Sequence, residues 1–188
     1  MDAHPQLIMG RARCWRMPKE ILMAVLRAVP EKWFSYDFEV LDRTGASVGR
    51  ADLSNWRENA ALEVGGRLYQ ATHKSGRKEF VLSHKGGPTV LVAEKPSAWR
   101  DRFSFEHDGS RYELRKESAW RRNLVLWRDG TGPVGSLRPK GAFKRAWLAE
   151  LPDDLPPEVG IFLMWLAVLL ARRASSAAAG SAAAAGGS

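Results

Sequence analysis

From Trp33 onward apolar and polar residues alternate, Phe34, Tyr36, Phe38 and Val40 interleaving with Ser35, Asp37 and Glu39. This is the pattern of a strand with one face in a core. It returns at Phe103 and Phe105, set against Arg102, Ser104 and Glu106, and at Tyr112 and Leu114, set against Arg111, Glu113 and Arg115. Three unbroken apolar runs, Phe80 to Leu82, Thr89 to Ala93 and Leu124 to Trp127, predict strands covered on both faces. Turn residues separate the runs: Asp42 to Gly45, Gly65-Gly66, Gly86-Gly87-Pro88, Asp108-Gly109, Asp129-Gly130 and Gly132-Pro133. Asp108-Gly109 between two alternating runs is the signal of a two-residue type I′ hairpin, whose twist matches its strands. Many short strands at this spacing predict an antiparallel sheet, closed into a barrel or folded into a sandwich.

A faint internal repeat accompanies the strands. Tyr69, Ser75 and Lys95-Pro96 recur 43 residues later as Tyr112, Ser118 and Arg138-Pro139. Val40-Leu41-x-Arg43-x-Gly45 is echoed by Val125-Leu126-x-Arg128-x-Gly130. Matches at this spacing suit a duplicated meander.

Beyond Leu151-Pro152 the period changes. Asp153-Asp154-Leu155-Pro156-Pro157-Glu158 predicts a helix start, with a carboxylate cap, Pro in the first turn and acid at the positive end of the dipole. The helix that follows, Val159 to Ala171, is apolar on every side and is closed by Arg172-Arg173. Such a helix belongs either in a bilayer or in the middle of a protein. Its 13 uncharged residues span about 20 Å, against a bilayer core of about 30 Å. Lengthening it would draw Arg172 and Arg173 into hydrocarbon at about 2.5 to 3.5 kcal/mol each. Enclosure within the protein's own strands is therefore expected, and a barrel closed around the helix achieves it in one small domain. A tail-anchored, single-pass membrane protein is the alternative.

The expected organisation is thus an N-terminal extension over 1–31, a barrel domain over 32–173 with its core helix at about 156–173, and a disordered tail of Ala, Ser and Gly over 174–188. In the extension, Arg11, Arg13, Arg16 and Lys19 precede the apolar Ile21 to Leu26. Arg27 interrupts that run and no small-x-small cleavage site follows before Pro30, so a short helix or strand packed on the domain is expected in place of a secretion signal.

At 188 residues and 45% hydrophobic composition the chain suits one domain. A lone Cys14 excludes an intramolecular disulfide framework and fits a reducing compartment. The net charge of +8 favours an anionic partner. Nearly all of it lies between Lys95 and Arg145, where 13 Lys and Arg face 6 Asp and Glu. The candidate contacts are Arg100, Arg102, Arg111, Arg115, Lys116, Arg121, Arg122, Lys140, Lys144 and Arg145. A solvated surface that merely maintains solubility is the competing reading.

No catalytic constellation is visible. His4, His73, His84 and His107 are scattered without paired Cys or carboxylates at metal-ligand spacing. The Gly-rich pieces lack phosphate-cradling arrangements, and no G-x-S-x-G elbow is present. A non-enzymatic protein without cofactor or metal is expected. Trp99, Trp120, Trp127 and Trp147 sit among Arg residues, where rings serve as core, as stacking platforms for bases or as anchors at headgroup level.

Strands first and a hydrophobic C-terminal helix through the middle is similar to the fold shared by the tubby, phospholipid scramblase and LURP-one-related families. Short patterns agree with small bacterial-type members: Tyr36-x-Phe38, Asp42-x-x-Gly45, Val48-Gly49, Lys95-Pro96-Ser97, Val134-Gly135 and Leu151-Pro152-x-x-Leu155-Pro156. The resemblance covers about Trp33 to Arg173 and implies a twelve-stranded antiparallel β-barrel around one helix, with binding to membrane phosphoinositides or other phospholipids. The acidic calcium-binding run of the scramblase branch is missing here, so neither calcium binding nor scrambling is carried over. The expected function is binding or scaffolding at anionic phospholipid headgroups, in a cytoplasmic protein peripheral at the inner membrane face. A nucleic-acid-binding barrel is the alternative partner class.

Overall fold

The computed structural model describes residues 23–32, 36–53, 58–74, 76–96, 101–118, 122–140 and 146–185, with side chains to residue 176. Twelve strands run β1 (Met23–Pro30), β2 (Phe38–Leu41), β3 (Ser47–Leu53), β4 (Asn59–Val64), β5 (Arg67–Lys74), β6 (Glu79–His84), β7 (Thr89–Glu94), β8 (Arg102–His107), β9 (Ser110–Lys116), β10 (Leu124–Arg128), β11 (Gly132–Lys140) and β12 (Ala146–Pro152), followed by α1 (Pro157–Ala185). Each strand pairs antiparallel with its sequence neighbours, and β1 against β12 closes the barrel. Closure removes the unpaired strand edges that an open sheet would expose.

The helix decides the arrangement. Ile161, Phe162, Leu163, Met164, Trp165 and Leu166 are each at most 1% exposed, and six successive residues cover every direction around a helix. Each large side chain so buried contributes roughly 1.5–3 kcal/mol. The 20-residue stretch Pro157–Ser176 is long and apolar enough to cross a membrane, but 67% of its most apolar window is buried inside the protein. That apolar surface is already covered by the barrel wall.

Side-chain size around the wall sets where the helix lies. On β3, β4 and β12 the inward positions include Gly49, Ala51, Ala60 and Ala149, whereas β6, β8 and β9 contribute Phe80, Phe103, Phe105 and Tyr112. Small residues admit α1 close to one wall, and rings fill the wider gap opposite. Phe80 meets Phe103 edge-on at 5.1 Å and Trp165 at 6.0 Å, geometries that aromatic quadrupoles favour.

Three glycines mark the closest approaches. A Cβ on Gly49 would sit 2.3 Å from the Glu63 carbonyl oxygen and 2.7 Å from Ile161 Cδ1. One on Gly135 would lie 2.8 Å from the Glu150 oxygen, and one on Gly160 of α1 would lie 2.9 Å from Leu26 Cδ1. The Val48-Gly49 and Val134-Gly135 patterns thus mark places where no side chain fits.

The register echoes the internal repeat. Pairing slips at Val40/Leu41, at Leu82/Ser83 and at Leu126/Trp127, in the hairpins β2–β3, β6–β7 and β10–β11. The irregularity therefore recurs every fourth strand. Tyr69 and Tyr112 occupy the third position of β5 and of β9, four strands apart, and both are buried. At the β8–β9 turn Asp108 and Gly109 have φ of 47° and 69°, the paired positive angles of the expected I′ hairpin.

Several expectations need correction. The segment assigned to an N-terminal extension supplies β1, whose registers with both β12 and β2 make it part of the wall. Arg27 interrupts the apolar run because it lies on a strand with alternate positions buried. β7 is not covered on both faces, since Val92 is 38% exposed. Asp153 and Asp154 are exposed turn residues, and the N–H groups of Val159 and Gly160 in the first turn of α1 are bonded to the carbonyl of Pro156. Asp154 instead takes Arg128 at 2.5 Å. Finally, the segment expected to be a disordered tail continues α1 as far as Ala185. Ala has the highest helix propensity, and extending a helix already nucleated in the barrel avoids the cost of starting one.

Gly49→Ala places a methyl against backbone that cannot move aside and is expected to lower stability by about 1–3 kcal/mol or more. Gly76→Ala meets open space and should stay within about 0.5 kcal/mol of the parent. Urea unfolding of both variants measures the contrast.

Candidate functional site

In a closed meander, connections fall alternately at the two ends of the barrel. At one end lie the turns 42–46, 65–66, 85–88, 108–109 and 129–131 and the entry to α1 at 153–156; at the other lie 31–37, 54–58, 75–78, 95–101, 117–123 and 141–145. Charge follows the same division. The entry end carries Asp42, Asp108, Asp129, Asp153 and Asp154, with Glu158 in the first turn of α1, against Arg43 and Lys85. Acids there face the positive end of the helix dipole. The far rim, past which α1 leaves the barrel, carries Lys32, Lys74, Arg77, Lys78, Lys95, Lys116, Arg122, Lys140, Arg172 and Arg173 among the described residues, against Glu31, Asp37, Glu58, Glu79, Glu94, Asp101 and Glu117.

The ten sequence candidates do not form one patch. Lys116, Arg122 and Lys140 lie at the exit rim. Arg102 and Arg115 sit on the outer wall, both paired with Glu113, and the Arg115 guanidinium stacks 4.0 Å over the Trp127 ring. Both are thereby held on the wall. Arg111 lies near the opposite end of β9, beside Glu106 in the register. Arg100, Arg121, Lys144 and Arg145 fall outside the described residues, in the connections β7–β8, β9–β10 and β11–β12. Lys74, Arg77, Lys78, Lys95, Arg172 and Arg173 were not singled out from sequence. Strand parity was the available signal, since it assigns every second connection to the same end.

Two ion-pair groups build this rim. Lys95, only 8% exposed, places Nζ 3.5 Å from an Asp101 carboxylate oxygen, and Lys116 takes the other oxygen. Burial pushes the Asp101 carboxyl up, but hydrogen bonding and charge from Lys116, then Lys95, outweigh it and hold the group below its ordinary value. Two ammonium groups share this carboxylate. The second group fastens α1. Arg173 donates to both oxygens of Glu58, at 2.6 and 2.5 Å, and His73 Nδ1 pairs with the same carboxylate. His73 stacks on Phe80 at 4.3 Å. The sequence offered His73 no carboxylate because Glu58 lies on a connection two strands' length away. Arg172 lies 5.1 Å over Tyr36.

The larger concavities lie elsewhere. β7 and β8 pair only through Glu94 and Ser104 in the described register, and the gap is a crevice of about 480 Å³ flanked by Glu94, Glu106 and Arg111. Two carboxylates against one guanidinium do not suit an anion. A trench of about 460 Å³ runs over Ala61 between Asp52, Gln70 and Lys85. Among the described residues no group of three His, Cys, Asp or Glu is placed to hold a metal ion.

No protein-family model and no curated protein matches the chain. Among solved structures, the X-ray structure of a protein from Arabidopsis thaliana is similar, with a TM-score of 0.53 at 12% identity, covering 81% of this chain and 91% of that one. The two share a fold. At this identity the likeness extends to architecture alone.

The hydrogen bonds from Arg173, ahead of its charge and that of His73, hold Glu58 below its ordinary carboxyl value. A carboxyl depressed in the folded state contributes stability above its unfolded pKa and loses it as pH falls through the folded one. Glu58→Gln should therefore cost stability at about pH 7, with the difference from the parent shrinking below about pH 4.5. Urea midpoints across that range give the measurement. Both partners are about one-third exposed, so solvent screening keeps the effect small.

Proposed function

We propose that this protein is a non-enzymatic module that binds the anionic phospholipid headgroups of a membrane surface through the exit rim of its barrel. One observation carries the reading: among the described residues lysines and arginines from separate connections and from α1 outnumber the acids at one end of the meander, while acids outnumber cations at the other. A chain charged only for solubility has no need of that sorting. The resemblance to the tubby, scramblase and LURP-one-related fold supports the same partner class. A rim of cations facing one direction suits a plane of negative charge, and each Lys or Arg near such a surface contributes about 1 kcal/mol. A cytoplasmic location, peripheral at the inner membrane face, goes with this reading.

Co-sedimentation with phosphatidylglycerol and with phosphatidylcholine vesicles tests it. Binding should be confined to the anionic vesicles and should weaken with salt as surface charges are screened. Arg122→Glu and Lys140→Glu should each weaken binding by about fivefold or more, whereas Arg111→Glu, near the other end, should leave it unchanged. Equal binding to both vesicle types, or an Arg111 variant as damaging as the rim variants, removes the reading. A steep salt-dependent affinity for DNA with no vesicle binding would replace it with a nucleic-acid module.

A further inference from the structure

The barrel wall is least complete between β7 and β8. β8 pairs with β9 along its whole length and β7 with β6 from Thr89 to Glu94, but β7 and β8 share only Glu94 opposite Ser104. Val90 is the extra residue at the β6–β7 slip, where Leu82 faces Leu91 and Ser83 faces Thr89. Such a bulge bends its strand, and pairing with β8 stops on the same stretch. Two bonds fix the direction of the backbone groups there. The Lys95 N–H donates to the Lys78 carbonyl, on the β6 side of β7, and the Lys116 N–H to the Asp101 carbonyl, on the β9 side of β8. Bonding sides alternate along an antiparallel strand, so the N–H and C=O of Val92 and of Glu106 point into the crevice. Val92 with Glu106 is the next pair of the register, and it is missing. Val92 is 38% exposed, Glu94 follows it on the same outer face, and Glu106 stands across the gap. Glu79 lies directly opposite Glu94 on β6, a like-charge pairing that costs stability. Lys74 stands opposite Glu79 and Arg111 opposite Glu106 in the registers, but among the described residues neither pair closes into a salt bridge.

We propose that this crevice takes an extended basic peptide of a partner protein, added as a strand along β7, with arginine or lysine side chains set outward beside Glu94 and Glu106. Strand addition gives affinity through main-chain hydrogen bonds and specificity through alternate side chains, and here both are provided for. The backbone groups of Val92 and Glu106 lack the partner that a ladder would give them. The carboxylates at its mouth select a cation, and an arginine stem laid over Val92 covers its exposed apolar surface. A volume of about 480 Å³ lies within the range of about 300 to 1,000 Å³ usual for ligand clefts. An anion would meet two carboxylates, and an uncharged apolar ligand would leave the backbone groups unpaired. The crevice is on the side wall and opens toward the entry end, so the inference stands apart from the membrane reading of the exit rim.

A fluorescently labelled octapeptide of alternating arginine and valine, blocked at both ends and titrated into the full-length protein at physiological ionic strength, tests this by anisotropy. It should bind, and its counterpart of alternating glutamate and valine should not. In the complex, hydrogen exchange at the Val92 and Glu106 amides should slow by about tenfold or more. Methylating the valine nitrogens removes the donors of one peptide edge, and methylating the arginine nitrogens those of the other. At least one of the two methylated peptides should bind about tenfold more weakly. Glu94→Lys with Glu106→Lys, both at exposed positions, should weaken binding by about tenfold or more, whereas Asp153→Lys at the entry end should leave it unchanged. Undiminished binding of both methylated peptides, or unchanged exchange at Val92 and Glu106, overturns strand addition. Equal binding of the acidic peptide overturns the charge selection, and an Asp153 variant as damaging as the double charge reversal overturns the crevice as the site. Dimers of the protein that the peptide dissociates would make a second copy the occupant and overturn the partner peptide.

Discussion

The structure depends on enclosing a helix that has no polar face. Such a helix cannot be laid against a sheet, because a sheet covers one side only, and the remaining surface would lie in water at about 25 cal/mol for each Å². A wall must therefore go all the way round, and twelve strands are what the chain supplies. Once the wall closes, its interior volume is set, and the fit is reached by size: Gly49, Ala51, Ala60 and Ala149 where the helix comes near, Phe80, Phe103, Phe105 and Tyr112 where it stands off. The Val48-Gly49 and Val134-Gly135 patterns belong to this fit. They say that the backbone comes too close for a side chain, and they carry no chemistry of their own.

Closure also organises charge. An up-and-down barrel sends alternate connections to opposite ends, so composition that looks diffuse along the chain is separated in space by topology alone. Among the described residues acids are in excess where α1 begins and cations where it leaves. Nearly the whole net charge lies in one stretch of sequence, but that stretch crosses the barrel several times. Arg111 is carried to the wrong end for a common surface, Arg102 and Arg115 are held on the outer wall by Glu113, and cations from β5–β6 and from α1 join the rim instead.

Fold class was legible because it rests on periodicities: alternation for the strands, an apolar run of helical length, and turn residues such as Asp108-Gly109 whose backbone angles are set locally. What stayed hidden was long-range. The apolar run at Ile21 to Leu26 carries too little alternation to be separated from a short helix, and only its registers with β2 and β12 reveal β1 as the strand that closes the ring. The pairing of Glu58 with His73 and with Arg173, across 115 residues, has no local signature at all. The extent of α1 was misjudged for a different reason. Ala-rich sequence is helix-forming yet cannot bury a core, and composition alone does not say that a helix already nucleated inside the barrel will run on into it.

That continuation gives the exit rim its character. At the entry end α1 is held by a short turn and by the wall around it, so that end has little freedom. At the exit end Arg172 on Tyr36 and Arg173 on Glu58 tie the helix to the barrel, and beyond them the helix has no apolar side chain larger than Ala to anchor it. The same few residues therefore fasten the helix and fill part of the cationic rim. A surface that neutralises the rim would act on the groups that hold the helix in place, which ties recognition at this end to the enclosure on which the fold is built.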